Sequence, residues 1–389
     1  MYTKPFLLTS FANFLVFSFL NVFNLLPLYI QSLGGGEAEI GRIMACYHVA
    51  AILCQVAAGG LLDRWPRKPI ILAATLALVG VAVAFALTTR LGWHFYLLRL
   101  LQGAALALFG TINLTLIADL APPGRRAEAV GLYGVSGLVA IALAPAAGEQ
   151  LLRAAGFSAF FWASALLPGC ALLVSWWTPV PSAPPAPAEG RVRFRDWLVL
   201  APILLPAFQY GMANTILFVF LPPFGRLVGL PRVGPFYAAY TAAAILVRVA
   251  GGRIADRLDR HKVILPSLLG QTAGLLLASV LDATWLLVLV GVLNGTAQGF
   301  VFPAASAMAF EAAPGGRRAQ TMAVFNVAVL LGGVLGATGF GWLAESAGYR
   351  PSFAGAGLVL GLGALGFWGA VRRTGRELGG GQPGQGAQA

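Results

Sequence analysis

Two ionisable side chains, Arg99 and His48, lie well inside long apolar segments of the sequence. Arg99 lies about six residues into its segment, which is roughly 9 Å from the outer end at the rise of an α-helix, and His48 lies about eight residues into another. Ionisable residues within a membrane usually face an internal cavity, because charge is costly in hydrocarbon. We therefore predict that both residues line a cavity. The alternatives are an arginine that binds backbone carbonyls and a neutral histidine that bridges two helices.

Amide and phenol side chains form a second group of candidate ligands. Phe17, Asn21 and Asn24 are spaced by four and three residues, so they share one helix face. Tyr210 and Asn214 lie 193 residues after Phe17 and Asn21. We predict that these faces line the cavity; the alternative is that the polar side chains only connect neighbouring helices. The predicted substrate-binding residues are Asn21, His48, Arg99, Gln102, Tyr210, Asn214 and Asn294.

Charged residues gather at helix ends on the side of the N-terminus. Asp63 and Asp256 each stand among arginines, where a carboxylate can also bind the positive N-terminal end of a helix in the other half. We predict that these charges close this side of the protein as a latch; the alternative is that they only set topology and solvate loops. Two acid–arginine pairs are each predicted to span a helix end and its loop, Asp119 with Arg126 and Glu311 with Arg318. The predicted gating residues are Asp63, Arg64, Arg67, Asp119, Arg126, Asp256, Arg257, Arg260, Glu311 and Arg318.

Patterns typical of catalysis are missing from the sequence. It has no paired carboxylates, His-Glu-x-x-His run, nucleophile elbow or phosphate-binding loop. The three cysteines lie inside apolar runs without metal-ligand spacing. We therefore expect no catalytic residue, no metal and no cofactor, and we predict that the protein is not an enzyme.

The composition is that of a membrane protein. Hydrophobic residues make up 58% of the 389 residues, charged residues make up 10%, and the mean hydropathy is +0.79. Soluble domains have about 25% charged residues. The net charge of +12 lies in short loops rather than on a polar domain, which favours a lipid bilayer over nucleic acid as the partner.

The elements that must position these residues are twelve apolar helices. They divide the chain into an N-terminal six-helix bundle (1–178), a Pro-rich linker (179–196), a C-terminal six-helix bundle (197–373) and a disordered tail (374–389). Lysine and arginine are concentrated in the loops on the side of the N-terminus and linker, so both termini and the linker are predicted to be cytoplasmic. The predicted helices are 6–30, 40–62, 69–88, 93–119, 127–152, 157–178, 198–227, 233–255, 263–282, 284–311, 319–345 and 350–372.

The two halves of the chain resemble each other. The run that holds Asp63 recurs 193 residues later around Asp256, and Ala121-Pro-Pro-Gly-Arg-Arg recurs 192 residues later as Ala313-Pro-Gly-Gly-Arg-Arg. Gly156 maps onto Gly348 by the same offset. Several matches at corresponding helix boundaries indicate a duplicated six-helix unit, an arrangement common in transporters.

These motifs resemble those of the major facilitator superfamily. The run 59–68 resembles the family's loop between helices 2 and 3, and Arg99-Leu-Leu-Gln-Gly resembles its helix-4 motif. Helix 5 resembles the motif of the export branch, although Ala144 and Glu149 stand where glycine is usual. The resemblance implies alternating access between two six-helix bundles. The predicted helix-packing residues are Gly59, Gly137, Pro145, Gly148 and Gly252.

Together, these features predict a secondary transporter in the inner membrane, a monomer that exports a small molecule, with protons as a candidate coupling ion. We found no acid near a helix centre, so a cavity that holds Arg99 should accept a neutral or anionic substrate. If protons are coupled, His48, Asp119 and Glu149 are the candidate carriers. The alternatives are an uptake permease for a sugar, organic acid or lipid-like metabolite and, from another class, a membrane-embedded enzyme or receptor.

Overall fold

The computed structural model describes residues 3–62, 66–122, 125–180, 194–250, 260–313 and 318–379. Over these ranges the regular structure is helical, as predicted. The helices are α1 (Lys4–Val22), α2 (Leu26–Ser32), α3 (Glu37–Leu62), α4 (Arg67–Leu87), α5 (Trp93–Leu120), α6 (Arg126–Trp177), α7 (Phe194–Leu227), α8 (Gly234–Ala250), α9 (Arg260–Ser279), α10 (Thr284–Glu311), α11 (Arg318–Ala347) and α12 (Tyr349–Gly379).

The first predicted helix is divided in two. α1 begins after Thr3, whose side chain accepts a hydrogen bond from the backbone N–H of Phe6, as expected for an N-cap. A 3-10 turn at Phe23–Leu25 then separates α1 from α2. Pro27 in the first turn of α2 has no N–H to continue the hydrogen bonds of α1, which explains why the long apolar segment does not form one regular helix.

A glycine breaks the longest helix. The 52 residues of α6 would extend about 78 Å as one regular helix, more than twice the roughly 30 Å of bilayer hydrocarbon. At Gly156 the backbone has φ 76° and ψ −178°, which suits glycine because it has no Cβ. The break lies between the predicted helices 127–152 and 157–178. Gly348, the equivalent residue in the repeat, has φ 84° and separates α11 from α12.

The helices are suited to a bilayer. Among the described residues, nine helices are long and apolar enough to cross a membrane, with α1 and α2 taken together. Large apolar side chains such as Leu166, Trp93 and Trp177 are exposed on the outside of the protein. In water such a surface would favour aggregation, whereas lipid solvates it.

Two of the predicted domain boundaries, those of the linker and of the tail, differ from the helices of the structure. α7 begins at Phe194, within the predicted linker 179–196, and α12 continues to Gly379, within the predicted tail 374–389. The prediction of a disordered tail was therefore wrong for residues 374–379, which continue the helix. The physical reason is that the arginines near this C-terminus are favourable to the helix dipole. The ranges 181–193 and 380–389 lie outside the described residues.

The sequence repeat is visible in the packing. Gly103 of α5 lies against the backbone of Tyr47 in α3, where an added Cβ would be 2.1 Å from the Tyr47 carbonyl oxygen. Gly295 of α10 lies in the same way against Tyr240 of α8, also at 2.1 Å. Both equivalent pairs bring two helices of one half into backbone contact. Between the halves, α3 packs on α11 and α6 packs on α8.

Candidate functional site

A cavity of about 240 Å³ lies between the two halves of the chain. Its walls come from α1, α3, α5 and α6 of the first half and from α7, α8, α10 and α11 of the second. No aspartate or glutamate is among the described residues that line it. Five of the seven predicted substrate-binding residues line this cavity, namely Asn21, His48, Arg99, Tyr210 and Asn214.

Arg99 is the charged group in the cavity wall. Its residue is only 3% exposed, its Nη1 donates a hydrogen bond of 2.5 Å to Gln102 Oε1, and its guanidinium lies 5.2 Å from the centroid of the Tyr47 ring. Its Nε is buried without a hydrogen-bond acceptor. None of the four ion pairs found among the described residues includes Arg99. A buried cation without a counter-ion is costly, so the site favours negative charge or strong hydrogen-bond acceptors.

His48 of α3 lines the same cavity as Arg99 of α5, and it contacts the second half of the chain. Its Nε2 is 3.3 Å from the hydroxyl oxygen of Thr215 on α7, and its ring is 2.7 Å from the position of an added Cβ at Gly333 on α11. Its Nδ1 is buried without a partner. His48 therefore both lines the cavity and bridges helices of the two halves, which combines the two alternatives that the sequence left open.

Aromatic residues of the second half form the opposite wall. Tyr240 donates a hydrogen bond of 2.8 Å to Asn214 Oδ1, and its ring lies 5.1 Å from that of Phe218. Tyr47 and Tyr240 were not among the cavity residues predicted from the sequence. The repeat could have identified the pair, because the two tyrosines are 193 residues apart.

Gln102 and Asn294 are the two predicted substrate-binding residues that do not line the cavity. Gln102 is fully buried beneath Arg99 and is not among the residues that line the cavity. Asn294 donates to the Val290 carbonyl and packs against Gly274 of α9, so it too lies outside the cavity wall. The hydrogen bonds of Gln102 and Asn294 stay within α5 and α10, whereas the packing of Asn294 on Gly274 connects α10 with α9.

The charged residues at helix ends form two equivalent ion pairs. Arg67 at the start of α4 binds Asp119 at the end of α5 at 2.6 Å, and Arg260 at the start of α9 binds Glu311 at the end of α10. The predicted partners were wrong for Glu311: the Arg318 guanidinium lies instead over the ring of Phe310. The physical reason is that the start of one helix meets the end of its antiparallel neighbour. An arginine at a helix start and an acid at a helix end are each unfavourable to the dipole of their own helix, and the ion pair neutralises both charges.

Both ion pairs lie within one half of the chain rather than between the halves. The predicted pairing of Asp119 with Arg126 stays a prediction, because the side chain of Arg126 lies outside the described residues. Several predicted gating and packing residues lie outside the described structure, so the inner latch stays a prediction. These are Asp63, Arg64, Gly252, Asp256, Arg257 and the side chain of Arg126.

The predicted packing residues of helix 5 lie in α6, close to α1. An added Cβ at Gly137 would be 3.2 Å from the ring of Phe17, and one at Gly148 would be 3.3 Å from Leu25. Pro145 lies inside the helix between them. Gly59 lies in the last turns of α3.

At the end nearest the 33–36 loop, the halves meet through glycine. A Cβ added to Gly41 of α3 would lie 2.3 Å from the carbonyl oxygen of Ala337 in α11, and one added to Gly341 would lie 2.6 Å from the carbonyl oxygen of Glu37. The two helix backbones are therefore in direct contact at a glycine joint, with no side chain between them at these positions.

No cluster of three potential metal ligands from His, Cys, Asp and Glu occurs in the described part of the chain. Cys46 and Cys54 are partly buried, Cys170 is exposed, and all three are free thiols. The cavity therefore offers hydrogen bonds, one buried positive charge and aromatic surfaces for binding.

Comparisons with known proteins agree with this geometry. The sequence profile of the Major Facilitator Superfamily matches residues 6–260 and 232–388. The chain is 25% identical over 387 residues to the multidrug resistance protein MdtG of Citrobacter koseri, and the match covers 91% of each protein. Among solved structures, it is similar to a peptide transporter POT in complex with sulfate (TM-score 0.79, 14% identity, 96% of this chain and 95% of that one). It is also similar to a bacterial homologue of the human lysosomal transporter Spinster (TM-score 0.77, 17% identity, 95% and 98%).

Proposed function

Because the chain belongs to the major facilitator superfamily, we propose that it is a secondary transporter that exports a small neutral or anionic molecule across the inner membrane. The observation that carries this proposal is the cavity between the halves, which is lined by both halves. Its wall contains Arg99, which is buried and has no counter-ion among the described residues. A site of this kind can bind a solute from either side when the halves move relative to each other.

The proposed architecture is twelve membrane-spanning helices in two six-helix bundles, 1–178 and 197–373. Several features support it: the break at Gly156 divides α6 into two membrane-length parts, and α1 and α2 together form one span. The excess of basic residues in the loops on the side of the N-terminus supports cytoplasmic termini. In this orientation the 33–36 loop faces the outside.

The proposed mechanism is alternating access. The glycine joint of Gly41 with Ala337 lies at the outer end of the cavity in this orientation, which supports an assignment of this conformation as closed to the outside. Separation of α3 from α11 at that joint, with closure of the inner side, would present the cavity to the outside. Energy would come from a solute or proton gradient, and His48 is the candidate proton carrier that faces the cavity.

The sign of the substrate charge follows from the cavity wall. Arg99 supplies a positive charge in a low-dielectric site, and the described cavity residues include no acid to offset it. A cation would be repelled, whereas an anion or a neutral hydrogen-bond acceptor would be stabilised. The word multidrug in the name of the relative MdtG supports export of drug-like molecules.

The test is transport by the purified protein in proteoliposomes, with and without a pH gradient, of matched lipophilic anions and cations. We expect saturable transport of anions that Arg99→Ala abolishes and Arg99→Lys retains in part. The control is Arg90→Ala, which removes an exposed arginine from the loop before α5. Saturable cation transport that is unaffected by Arg99→Ala would contradict the substrate assignment, and net uptake under an export-directed gradient would favour a permease.

A further inference from the structure

Two glutamates bind backbone amides across the boundary between the halves. Glu149 of α6 accepts hydrogen bonds from the N–H of Val233 (3.1 Å) and of Gly234 (2.9 Å). Glu345 of α11 accepts one from the N–H of Ala38 (2.7 Å). Each carboxylate therefore belongs to one half of the chain and each set of amides to the other.

Both sets of amides lie where a helix begins. Val233 and Gly234 start α8, and Ala38 is the second residue of α3. The first amides of a helix have no partner within it and carry a partial positive charge. The first turn of α8 contains no acidic residue, so Glu149 supplies from the opposite half the negative charge that this helix lacks.

The two contacts occupy similar places in the two halves, about one helical turn out of register with the sequence repeat: Glu149 and Glu345 are 196 residues apart, whereas Gly156 and Gly348 are 192 residues apart. Glu149 lies seven residues before Gly156 and Glu345 lies three residues before Gly348, and both glycines have a positive φ. Ala38 and Val233 are 195 residues apart, which is close to the offset of the repeat. The halves thus exchange the same contact, with a carboxylate near the end of one helix on the amides at the start of the other half's second helix.

The two contacts differ in their surroundings. Glu149 is 8% exposed and also accepts a hydrogen bond of 2.9 Å from Arg153, which orients its carboxylate. Glu345 is exposed and approaches α3 at Gly36, where an added Cβ would be 2.7 Å from Glu345 Oε2. Hydrogen bonds of an ionised group gain strength when water is excluded. The Glu149 contact is therefore the stronger of the two.

We propose that Glu149 and Glu345 form a two-point outer gate that holds the halves together and releases the amides of α8 and α3 when the cavity opens outward. The inference rests on the proposed alternating access. Water can replace the released hydrogen bonds of both partners, so the gate biases the equilibrium toward closure without locking it. Glu149 stands where the export motif usually has glycine, and the proposed gate gives this difference a function.

The test measures opening of the outer side without any substrate. In a background without native cysteines, Asn24→Cys places a thiol in the cavity wall, and a membrane-impermeant thiol reagent is added outside intact cells. The labelling rate follows the population of the outward-open state. We expect Glu149→Gln to raise it roughly tenfold, Glu345→Gln to raise it less, and the double variant to raise it most.

The matched control is Glu128→Gln, which removes an exposed carboxylate at the opposite end of α6 and should leave the labelling rate unchanged. If Glu149→Gln does not reach the membrane, Glu149→Asp shortens the side chain, keeps its charge and provides the same comparison. Unchanged labelling in every inserted Glu149 and Glu345 variant would overturn the gate. Faster labelling without transport of any compound would support the gate while contradicting the proposed function.

Discussion

Substitution of Gly103 by alanine should separate α3 from α5 and thereby disturb the cavity. The added Cβ would lie 2.1 Å from the carbonyl oxygen of Tyr47 and 2.8 Å from its carbonyl carbon. Both atoms belong to the backbone, so no side chain can rotate away and the helices must move apart. Overpacking of this kind costs about 1–3 kcal/mol. Because His48 and Arg99 lie on the two displaced helices, substrate affinity should fall together with stability.

The measurement is thermal unfolding of the purified protein in detergent, compared with Gly110→Ala on the same helix. An added Cβ at Gly110 meets no atom within 4 Å, and alanine is a better helix former by about 1 kcal/mol. We expect Gly103→Ala to lower Tm by roughly 5 °C and Gly110→Ala to leave it unchanged or raise it. Gly295→Ala should repeat the loss in the second half. A Gly103→Ala protein as stable as the parent would refute the backbone contact.

Three further predictions concern topology and the inner side. Single cysteines near Gly35 and Pro185 should respectively be labelled and spared by an impermeant reagent on intact cells, and the reverse pattern would contradict the orientation. A double-mutant cycle of Arg67→Gln with Asp119→Asn should give a coupling of about 1 kcal/mol or less, because the two side chains are 22% and 40% exposed; a coupling of several kcal/mol would show that water is excluded from this pair. Asp63→Asn should lower transport while membrane insertion persists, and native transport would leave Asp63 with a role in topology alone.

Features that depend on local sequence could be predicted. Hydropathy identified the helices because each must contain a long apolar run. The depth of Arg99 in its apolar segment, and the helix face that Asn21 shares with Phe17 and Asn24, were sufficient to predict that both residues line a cavity. The offset of the repeat also related Gly156 to Gly348, and both have a positive φ.

Features that depend on which helix ends meet could not be predicted. Glu311 binds Arg260 rather than the predicted Arg318, since the partner is set by the antiparallel packing of α9 and α10. Glu149 was noted only as a departure from a motif and as a candidate proton carrier. Its contact with α8 joins residues more than eighty positions apart, and no local pattern encodes such a distance.

In the proposed alternating-access cycle, the glycine joint between Gly41, Ala337 and Gly341 limits the surface that must be hydrated at this contact when the outer side opens. Helix carbonyls at the joint already accept hydrogen bonds within their own helices, so separation leaves no backbone group unpaired. Glycine also has no side chain to expose, whereas hydration of apolar area costs about 25 cal/mol per Å². Leucine side chains packed at this contact would raise the free energy of opening, because their apolar area would be hydrated. The backbone contact instead adds little to the hydration cost of the proposed opening.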